Sequence, residues 1–235
     1  MNKKVLVITG TTDILRTAEE TDNTMEEVFE LTLPSKQRYT KKHGYDLLAL
    51  RSFGEDKQGT FNSRHLGFLR ALRTFEMLQY YDTVMWIDAD ALITNDNYKI
   101  EDFVDETSLF SVSWDWVGKH TFSTGNFVIK NENNITDFFN MFLLVGKTVI
   151  ENNQWGEEQT TFNLINQNTS FQNNIKILEH RYLNAVPSRE MYGDIWNGRR
   201  TPIAPWTPEA FLVHITGIPN KNRIEILNTH FKNYL

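Results

Sequence analysis

Two continuous apolar runs constrain the fold of this chain most strongly. Residues 4–9 read KVLVIT and stop at Gly10, and residues 83–87 read TVMWI and continue directly into Asp88. A run without polar alternation is typical of a strand that is buried on both faces, as in a parallel sheet. Between the two runs, apolar residues at helical spacing predict a helix over residues 64–80. The sequence therefore predicts an α/β fold.

The rest of the chain continues this alternation of strands and helices. Further strands are predicted over residues 45–50, 108–114, 126–130, 175–178 and 211–215, and further helices over residues 24–42, 135–145 and 157–165. Pro34 is expected to disturb or end the first helix. Residues 185–208 are expected to form a long loop, and residues 222–235 a tail with helical character. The pattern predicts a twisted, mostly parallel sheet with helices on both faces.

Composition excludes several classes of function. The chain has 235 residues, a net charge of −6 and no cysteine. The negative charge argues against nucleic acid as a partner, since proteins that bind it usually present a basic face. Without cysteine there is no disulfide, no zinc–thiolate site and no cysteine nucleophile. No segment approaches the roughly 20 apolar residues of a membrane span.

The sharpest motif is the pair Asp88 and Asp90, directly after the run at residues 83–87. Side chains at positions i and i+2 of an extended backbone point the same way, so both carboxylates can face one cation. Mg²⁺ and Mn²⁺ favour oxygen ligands and can also hold diphosphate oxygens. An acidic turn that only caps a strand remains the alternative.

A second motif is His214, at the end of an apolar run, with Gly217 three residues later. A neutral imidazole is a good ligand for Mn²⁺, and a glycine lets the backbone approach a phosphate closely. A half-buried histidine at a strand end is the alternative. Next to Asp88 and Asp90, however, the metal-ligand interpretation is favoured.

Two further segments suit the binding of a sugar. Glu158 and Gln159 lie in the first turn of a predicted helix, where acids also complement the helix dipole. A carboxylate there can stabilise the positive charge that a sugar carries during glycosyl transfer. Residues 121–125 read TFSTG and predict a turn, whose hydroxyl and backbone groups at Gly125 can bind sugar hydroxyls.

In this order, the segments resemble GT-A-type glycosyltransferases, and most of all the retaining family of fungal α-galactosyltransferases and plant xyloglucan α-xylosyltransferases. The matching segments are YTKKHGYDLLAL, RHLGFLRALRTF, VMWIDADALI, FSTGNFVIKN, WGEEQTTFN and HITG. The resemblance implies one GT-A domain. Its residues 1–110 would form the nucleotide-binding half, and its residues 111–235 would carry the donor sugar, the acceptor and the C-terminal tail.

The resemblance also implies the roles of individual residues. Mn²⁺, or Mg²⁺, is expected on Asp88, Asp90 and His214, and Glu158 and Gln159 are expected on the β face of the donor sugar as the catalytic pair. The residues expected at the nucleotide and its diphosphate are Thr9, Gly10, Thr11, Arg64, His65, Asp88, Ala89, Gly125 and Gly217.

The expected function is transfer of a hexose or pentose from a nucleotide-sugar, with UDP as the expected nucleotide, to a glycan hydroxyl with retention of configuration. The alternatives are a nucleotide-sugar hydrolase, an inverting glycosyltransferase, a metal-dependent nucleotidyl or phosphoryl transferase, and a non-catalytic scaffold. A nucleotidyl or phosphoryl transferase would need a phosphate-cradling loop, and the sequence contains no GxxxxGK[ST] motif. A location in a bacterial cytoplasm, or in that of a virus-infected host, is expected, because no signal peptide or membrane anchor is seen.

Overall fold

The computed structural model describes residues 4–11, 25–53, 65–115, 121–132, 134–154, 157–168, 170–193 and 205–235. The strands are β1 (Val5–Gly10), β2 (Asp46–Leu50), β3 (Thr83–Asp88), β4 (Ala91–Ile93), β5 (Phe110–Trp114), β6 (Phe122–Lys130), β7 (Ile175–Leu178) and β8 (Leu212–His214). The helices are α1 (Met25–His43), α2 (Leu66–Met77), α3 (Ile135–Glu151), α4 (Glu157–Asn168), α5 (His180–Leu183), α6 (Arg189–Tyr192) and α7 (Asn220–His230). This architecture confirms the predicted α/β fold.

Six strands form one mixed sheet in the order β2-β1-β3-β6-β5-β7. The pairs β1–β2, β1–β3 and β5–β7 are parallel, whereas β6 runs antiparallel to both β3 and β5. The predicted mostly parallel sheet is therefore present. Its two buried runs, β1 and β3, are neighbours near its centre.

Apolar side chains on both faces of the sheet form the core. On one face, Leu6, Ile8 and Trp86 pack with α2, α3 and α4; on the other, Val5, Val7 and Ile87 pack with Tyr39 of α1 and Phe211. This two-sided burial explains why β1 and β3 show no polar alternation.

The helix α1 corrects the prediction for Pro34, which lies inside the helix without ending it. The buried face of α1 includes Val28, Phe29, Leu33 and Tyr39. Pro34 lies on a half-exposed flank, and Glu30, whose carbonyl loses its helical partner, is exposed to water. Burial of the apolar face therefore outweighs the roughly 3 kcal/mol that an interior proline costs.

The segment predicted as a turn at residues 121–125 is another correction, since all but its first residue belong to β6. Ser123 pairs with Ser113 of β5, and Asn126 pairs with Ile87 of β3. The pairing with β5 before Thr124 and with β3 after Gly125 holds these small, turn-forming residues in an extended conformation.

A second, two-stranded sheet consists of β4 and β8, which run antiparallel. The predicted strand at residues 211–215 therefore lies outside the main sheet, and β4 has only three residues. No helix within the described ranges has the length and apolar character that crossing a membrane requires.

Candidate active site

The candidate site lies at one edge of the large sheet, where β1 and β3 end. Gly10 and Asp88 are the last residues of these strands and stand opposite each other in the parallel ladder. The carboxyl ends of parallel strands are where ligands bind in open α/β sheets. Asp88 is therefore placed where the sequence pattern predicts a binding site.

The small sheet brings His214 to the acidic loop. Ala91 of β4 stands opposite His214 of β8, and the amide of Ile215 donates to the carbonyl of Asp90 at 3.0 Å. This antiparallel ladder fixes the distance between segments that are far apart in the sequence.

Asp88, Asp90 and His214 converge, with one ligand atom from each lying within 4.8 Å of the others. His214 Nε2 is 3.2 Å from Asp90 Oδ1 and 3.7 Å from Asp88 Oδ2. Two carboxylate oxygens and one imidazole nitrogen form a donor set that suits a divalent cation such as Mn²⁺.

A hydrogen-bond relay orients the imidazole of His214. Asn184 Nδ2 donates to the carbonyl of Trp114 at 2.9 Å, which leaves Asn184 Oδ1 to accept from His214 Nδ1 at 2.9 Å. The proton of the neutral ring is therefore held on Nδ1. Nε2 is buried and makes no hydrogen bond within the described part of the chain, so its lone pair is available to a cation.

Gly125 of β6 leaves the space that this arrangement needs. A Cβ atom at this position would overlap His214 Cε1 and would lie 2.9 Å from Asp88 Oδ2. Together, the orphaned Nε2 atom, the free space beside it and the chemistry of the donor set fit a bound divalent cation.

The charges around Asp90 keep it ionised. Burial raises the pKa of its carboxyl, but the charge of His214 in its protonated form and the charge of Arg223 outweigh burial and hold the pKa well below its usual range. Arg223 Nε lies 3.1 Å from Asp90 Oδ2 and 2.9 Å from the carbonyl of Ile215. Burial lowers the pKa of His214, but the charge of Asp90 outweighs this effect, so the pKa is raised.

Arg70 of α2 joins Asp88 to Glu158. Its Nη1 atom donates to Asp88 Oδ1 at 2.5 Å, and its Nη2 atom forms an ion pair with Glu158 Oε1. Thr124 donates to the same Glu158 oxygen at 3.0 Å. A Cβ atom on Gly67 would overlap the Glu158 carboxylate, so this glycine provides the space for it.

Arg70 is not among the residues predicted from the sequence, which place Arg64 and His65 at the nucleotide and its diphosphate. Arg64 lies outside the described residues, and His65 immediately precedes α2, where its carbonyl accepts from the amide of Leu69. Its position in the sequence does carry a signal. Arg70 lies one helical turn after the buried residue Leu66, so the spacing places its charge next to the buried face of α2.

Gln159 and Ala89, which were also predicted at the site, contact residues other than the three candidate metal ligands. Gln159 donates to Asp115 Oδ2 at 3.4 Å, apart from the ion pair of Glu158. Ala89 packs against Phe29 and Leu33 of α1, and its carbonyl accepts from Thr32 at 2.6 Å.

The hydroxyls of Thr9 and Thr11 are buried without a hydrogen-bond partner among the described residues. A Cβ atom on Gly10, between them, would lie 2.9 Å from the carbonyl of Leu50, so the close neighbour of Gly10 here is β2. Gly217 has φ +75°, a backbone conformation that favours glycine.

Comparisons with known proteins agree with this architecture. Residues 1–112 match the model of the galactosyl transferase GMA12/MNN10 family. A glycosyltransferase involved in the glycosylation of the major capsid of PBCV-1 has a similar fold, with a TM-score of 0.60 and 14% identity over 96% of this chain and 100% of that chain. The chain is a glycosyltransferase of the GT-A fold.

Other solved glycosyltransferases share the fold. GlyE of Streptococcus pneumoniae TIGR4 has a TM-score of 0.58 and 15% identity over 98% of this chain and 64% of that chain. An active-site mutant of LgtC has a TM-score of 0.50 and 12% identity over 98% of this chain and 100% of that chain. No curated protein matches the sequence of this glycosyltransferase. The predicted enzyme class and fold are confirmed.

Proposed function

We propose that this glycosyltransferase uses a divalent cation to transfer a hexose or pentose from a UDP-linked donor to a glycan hydroxyl, with retention of configuration. The observation that carries the proposal is the convergence of Asp88, Asp90 and His214, together with the unpartnered Nε2 atom of His214 among the described residues. A bound cation of this kind supplies Lewis-acid stabilisation of a diphosphate leaving group.

Asp88, Asp90 and His214 are the residues that would hold the cation, which we propose to be Mn²⁺ or Mg²⁺. The imidazole provides the nitrogen that favours Mn²⁺ over Mg²⁺. Arg223 contacts Asp90 Oδ2, while Asp90 Oδ1 faces His214. This division leaves Oδ1 as the atom of Asp90 that would hold the cation.

The residues at the end of β1 suit the nucleotide. The buried hydroxyls of Thr9 and Thr11 lack partners within the described ranges and can bond to polar atoms of the nucleotide. We assign residues 1–110 to nucleotide binding, and we retain Gly10, His65, Ala89, Gly125 and Gly217 as backbone or side-chain neighbours of the diphosphate. Residues 111–235 would then hold the donor sugar and the acceptor.

Glu158 is the residue that would stabilise the positively charged sugar. Arg70 and Thr124 hold one of its carboxylate oxygens, which keeps the carboxylate in a fixed position next to Asp88. Gln159 would add an amide to the same region. We propose that the acceptor attacks from the side where the diphosphate leaves, and that a phosphate oxygen accepts its proton.

The acceptor region includes the predicted loop at residues 185–208, of which residues 194–204 lie outside the described ranges. Trp206, near the end of this loop, donates from Nε1 to Thr94 at 2.9 Å and packs against Phe231 and Tyr234. Trp206 therefore anchors the end of this loop to the C-terminal region.

The test is transfer from a panel of UDP-sugars to glycan acceptors, with and without Mn²⁺. Asp90→Ala and His214→Ala should abolish metal-dependent transfer, whereas the matched controls Asp96→Ala and His43→Ala should retain it. The anomeric proton of the product, measured by NMR, should report retention. Transfer at the wild-type rate in a chelator would contradict the proposal, and release of free sugar without transfer would identify a hydrolase.

A further inference from the structure

The helix α1 carries a buried charge that the proposed reaction does not use. Lys36 is fully buried, and its ammonium donates one hydrogen bond, to Thr32 Oγ1 at 2.9 Å. In the described part of the chain no carboxylate lies within ion-pair distance of its Nζ atom. A buried ammonium without a counter-charge has a high free energy, so the position needs an explanation.

The ammonium lies behind the acidic loop of the candidate metal site. Thr32, its hydrogen-bond partner, donates to the carbonyl of Ala89 at 2.6 Å, between Asp88 and Asp90. Burial lowers the pKa of Lys36 to about 7, and the charges of Asp90 and Asp88 oppose this decrease. The field of the two aspartates therefore reaches Lys36 even though no ion pair forms.

The carboxylates of the site already have other cations. Asp88 and Glu158 share Arg70, and Asp90 contacts Arg223 and His214. With the imidazole of His214 neutral, the three carboxylates face two guanidinium groups, and the ammonium of Lys36 balances the remaining negative charge. A divalent cation that enters alone must bind next to this ammonium or displace its proton. Either event makes binding of the cation less favourable.

On the basis of the proposed function, we propose that Lys36 is an internal counter-charge that weakens the binding of a divalent cation alone, so that a nucleoside diphosphate strengthens it. The diphosphate brings negative charge to the cation and cancels the repulsion between the cation and the ammonium. Lys36 thereby couples the two ligands, since each binds more tightly in the presence of the other.

The expected magnitude follows from proton displacement. At about pH 6, one unit below its pKa of about 7, the loss of the Lys36 proton lowers the affinity for the cation by at most about tenfold, or about 1.4 kcal/mol. At about pH 8 the ammonium is mostly neutral and the effect disappears. The groups that face Lys36 are Asp88 and Asp90 from the loop after β3, with His214 of β8 and Arg223 of α7 on Asp90.

The test compares the wild-type protein with Lys36→Met, which keeps most of the length of the side chain and removes its charge. Binding of Mn²⁺ is measured from the EPR signal of the free ion, with and without UDP, at about pH 6 and about pH 8. Without UDP at the lower pH, Lys36→Met should bind Mn²⁺ several-fold to tenfold more tightly. With UDP, or at the higher pH, the two proteins should bind Mn²⁺ equally.

The control is Ser35→Ala, which removes buried hydrogen bonds at the neighbouring position without changing the charge. It should not bind Mn²⁺ more tightly, because damage to the fold weakens binding and only the loss of the positive charge strengthens it. If circular dichroism finds Lys36→Met unfolded, Lys36→Gln replaces it in the same titrations, since it is neutral and can still bond to Thr32.

Two outcomes separate this inference from the proposed function. Wild-type protein that binds Mn²⁺ with UDP, together with a Lys36→Met variant of unchanged affinity without UDP, would overturn the role of Lys36 alone. Wild-type protein that binds no Mn²⁺ under any of these conditions would overturn both proposals.

Discussion

Arg70→Met is the substitution whose effect the structure defines most fully. The guanidinium is 16% exposed and connects Asp88 and Glu158, which are 20% and 13% exposed. Burial lowers the pKa of Arg70, but the charges of Asp88 and Glu158 outweigh burial and raise it. Methionine fills a similar space without a charge, so the substitution leaves two mostly buried carboxylates without their cation.

Removal of one partner from a buried ion pair costs about 3–5 kcal/mol. Because Asp88 and Glu158 retain some contact with water, we expect a loss near the lower end, about 3 kcal/mol in the free energy of unfolding. In a protein of this length, about 1 kcal/mol shifts the melting temperature by about 2–4 °C. Arg70→Met should therefore melt about 6–12 °C below the wild-type protein.

The matched control is Arg73→Met, one turn further along α2. Arg73 pairs with Glu76, which is 44% exposed, and donates to the carbonyl of Phe53. This substitution should cost about 1 kcal/mol, since exposed pairs contribute little. The double variant Arg70→Met/Glu158→Gln should regain part of the lost stability, because it also removes one unpaired carboxylate.

Differential scanning calorimetry in a metal-free buffer gives these melting temperatures directly. Equal shifts for Arg70→Met and Arg73→Met would refute the conclusion that Arg70 neutralises a buried acidic pair. A double variant that is less stable than Arg70→Met would refute it as well. Added Mn²⁺ should raise the melting temperature of Arg70→Met, because the cation replaces the missing charge beside Asp88.

The remaining predictions concern the surroundings of the proposed metal site. Gly125→Ala should weaken Mn²⁺ binding in calorimetric titrations, since its Cβ atom overlaps His214 Cε1, and an unchanged affinity would contradict the need for space there. Asn184→Leu should weaken the same binding by about 10–100-fold, because Nδ1 of His214 loses its acceptor, whereas Asn184→Asp retains an acceptor and should bind more tightly than Asn184→Leu. Lys36→Met should stabilise the fold below about pH 7, and this gain should vanish as the pH rises to 10.5. Burial lowers the pKa of Lys36 from 10.5 to about 7, so the folded wild-type protein binds fewer protons than the unfolded chain in this range. A stability gain that is independent of pH in denaturant titrations would contradict this assignment.

The long, strongly patterned elements of this fold are predictable from the sequence. The strands β1 and β3 follow from continuous apolar runs, and α2 follows from helical spacing, because each is specified by its own residues. The convergence of Asp88, Asp90 and His214 was predicted from the resemblance, and the geometry brings these side chains together. Their role as metal ligands remains a proposal.

The predictions of secondary structure are wrong where tertiary contacts override the conformational preference of the local sequence. The α1 helix continues through Pro34 because its apolar face is buried, and Gly125 is extended because the flanking residues of β6 pair with β5 and β3. The strand β4 has only three residues and exists because β8 pairs with it. A local pattern in the sequence contains none of these partners.

The polar residues around Asp88, Asp90 and His214 are also only partly predictable from the sequence. Lys36 interrupts the buried face of α1 and Arg70 lies on the buried face of α2, so both are visible as charges at apolar positions. Asn184 and Arg223 occupy segments without such a pattern. Their positions follow from the contacts of the folded chain with His214 and Asp90.

The central claim is that one divalent cation is held by two aspartates and His214 next to a diphosphate. Pulsed EPR of the complex with Mn²⁺ and UDP tests it directly, because the electron spin detects nuclei bound to the ion. We predict a nitrogen coupling that disappears in His214→Ala and a phosphorus coupling from UDP. A nitrogen coupling that persists in His214→Ala, or its absence from the wild-type complex, would contradict the account.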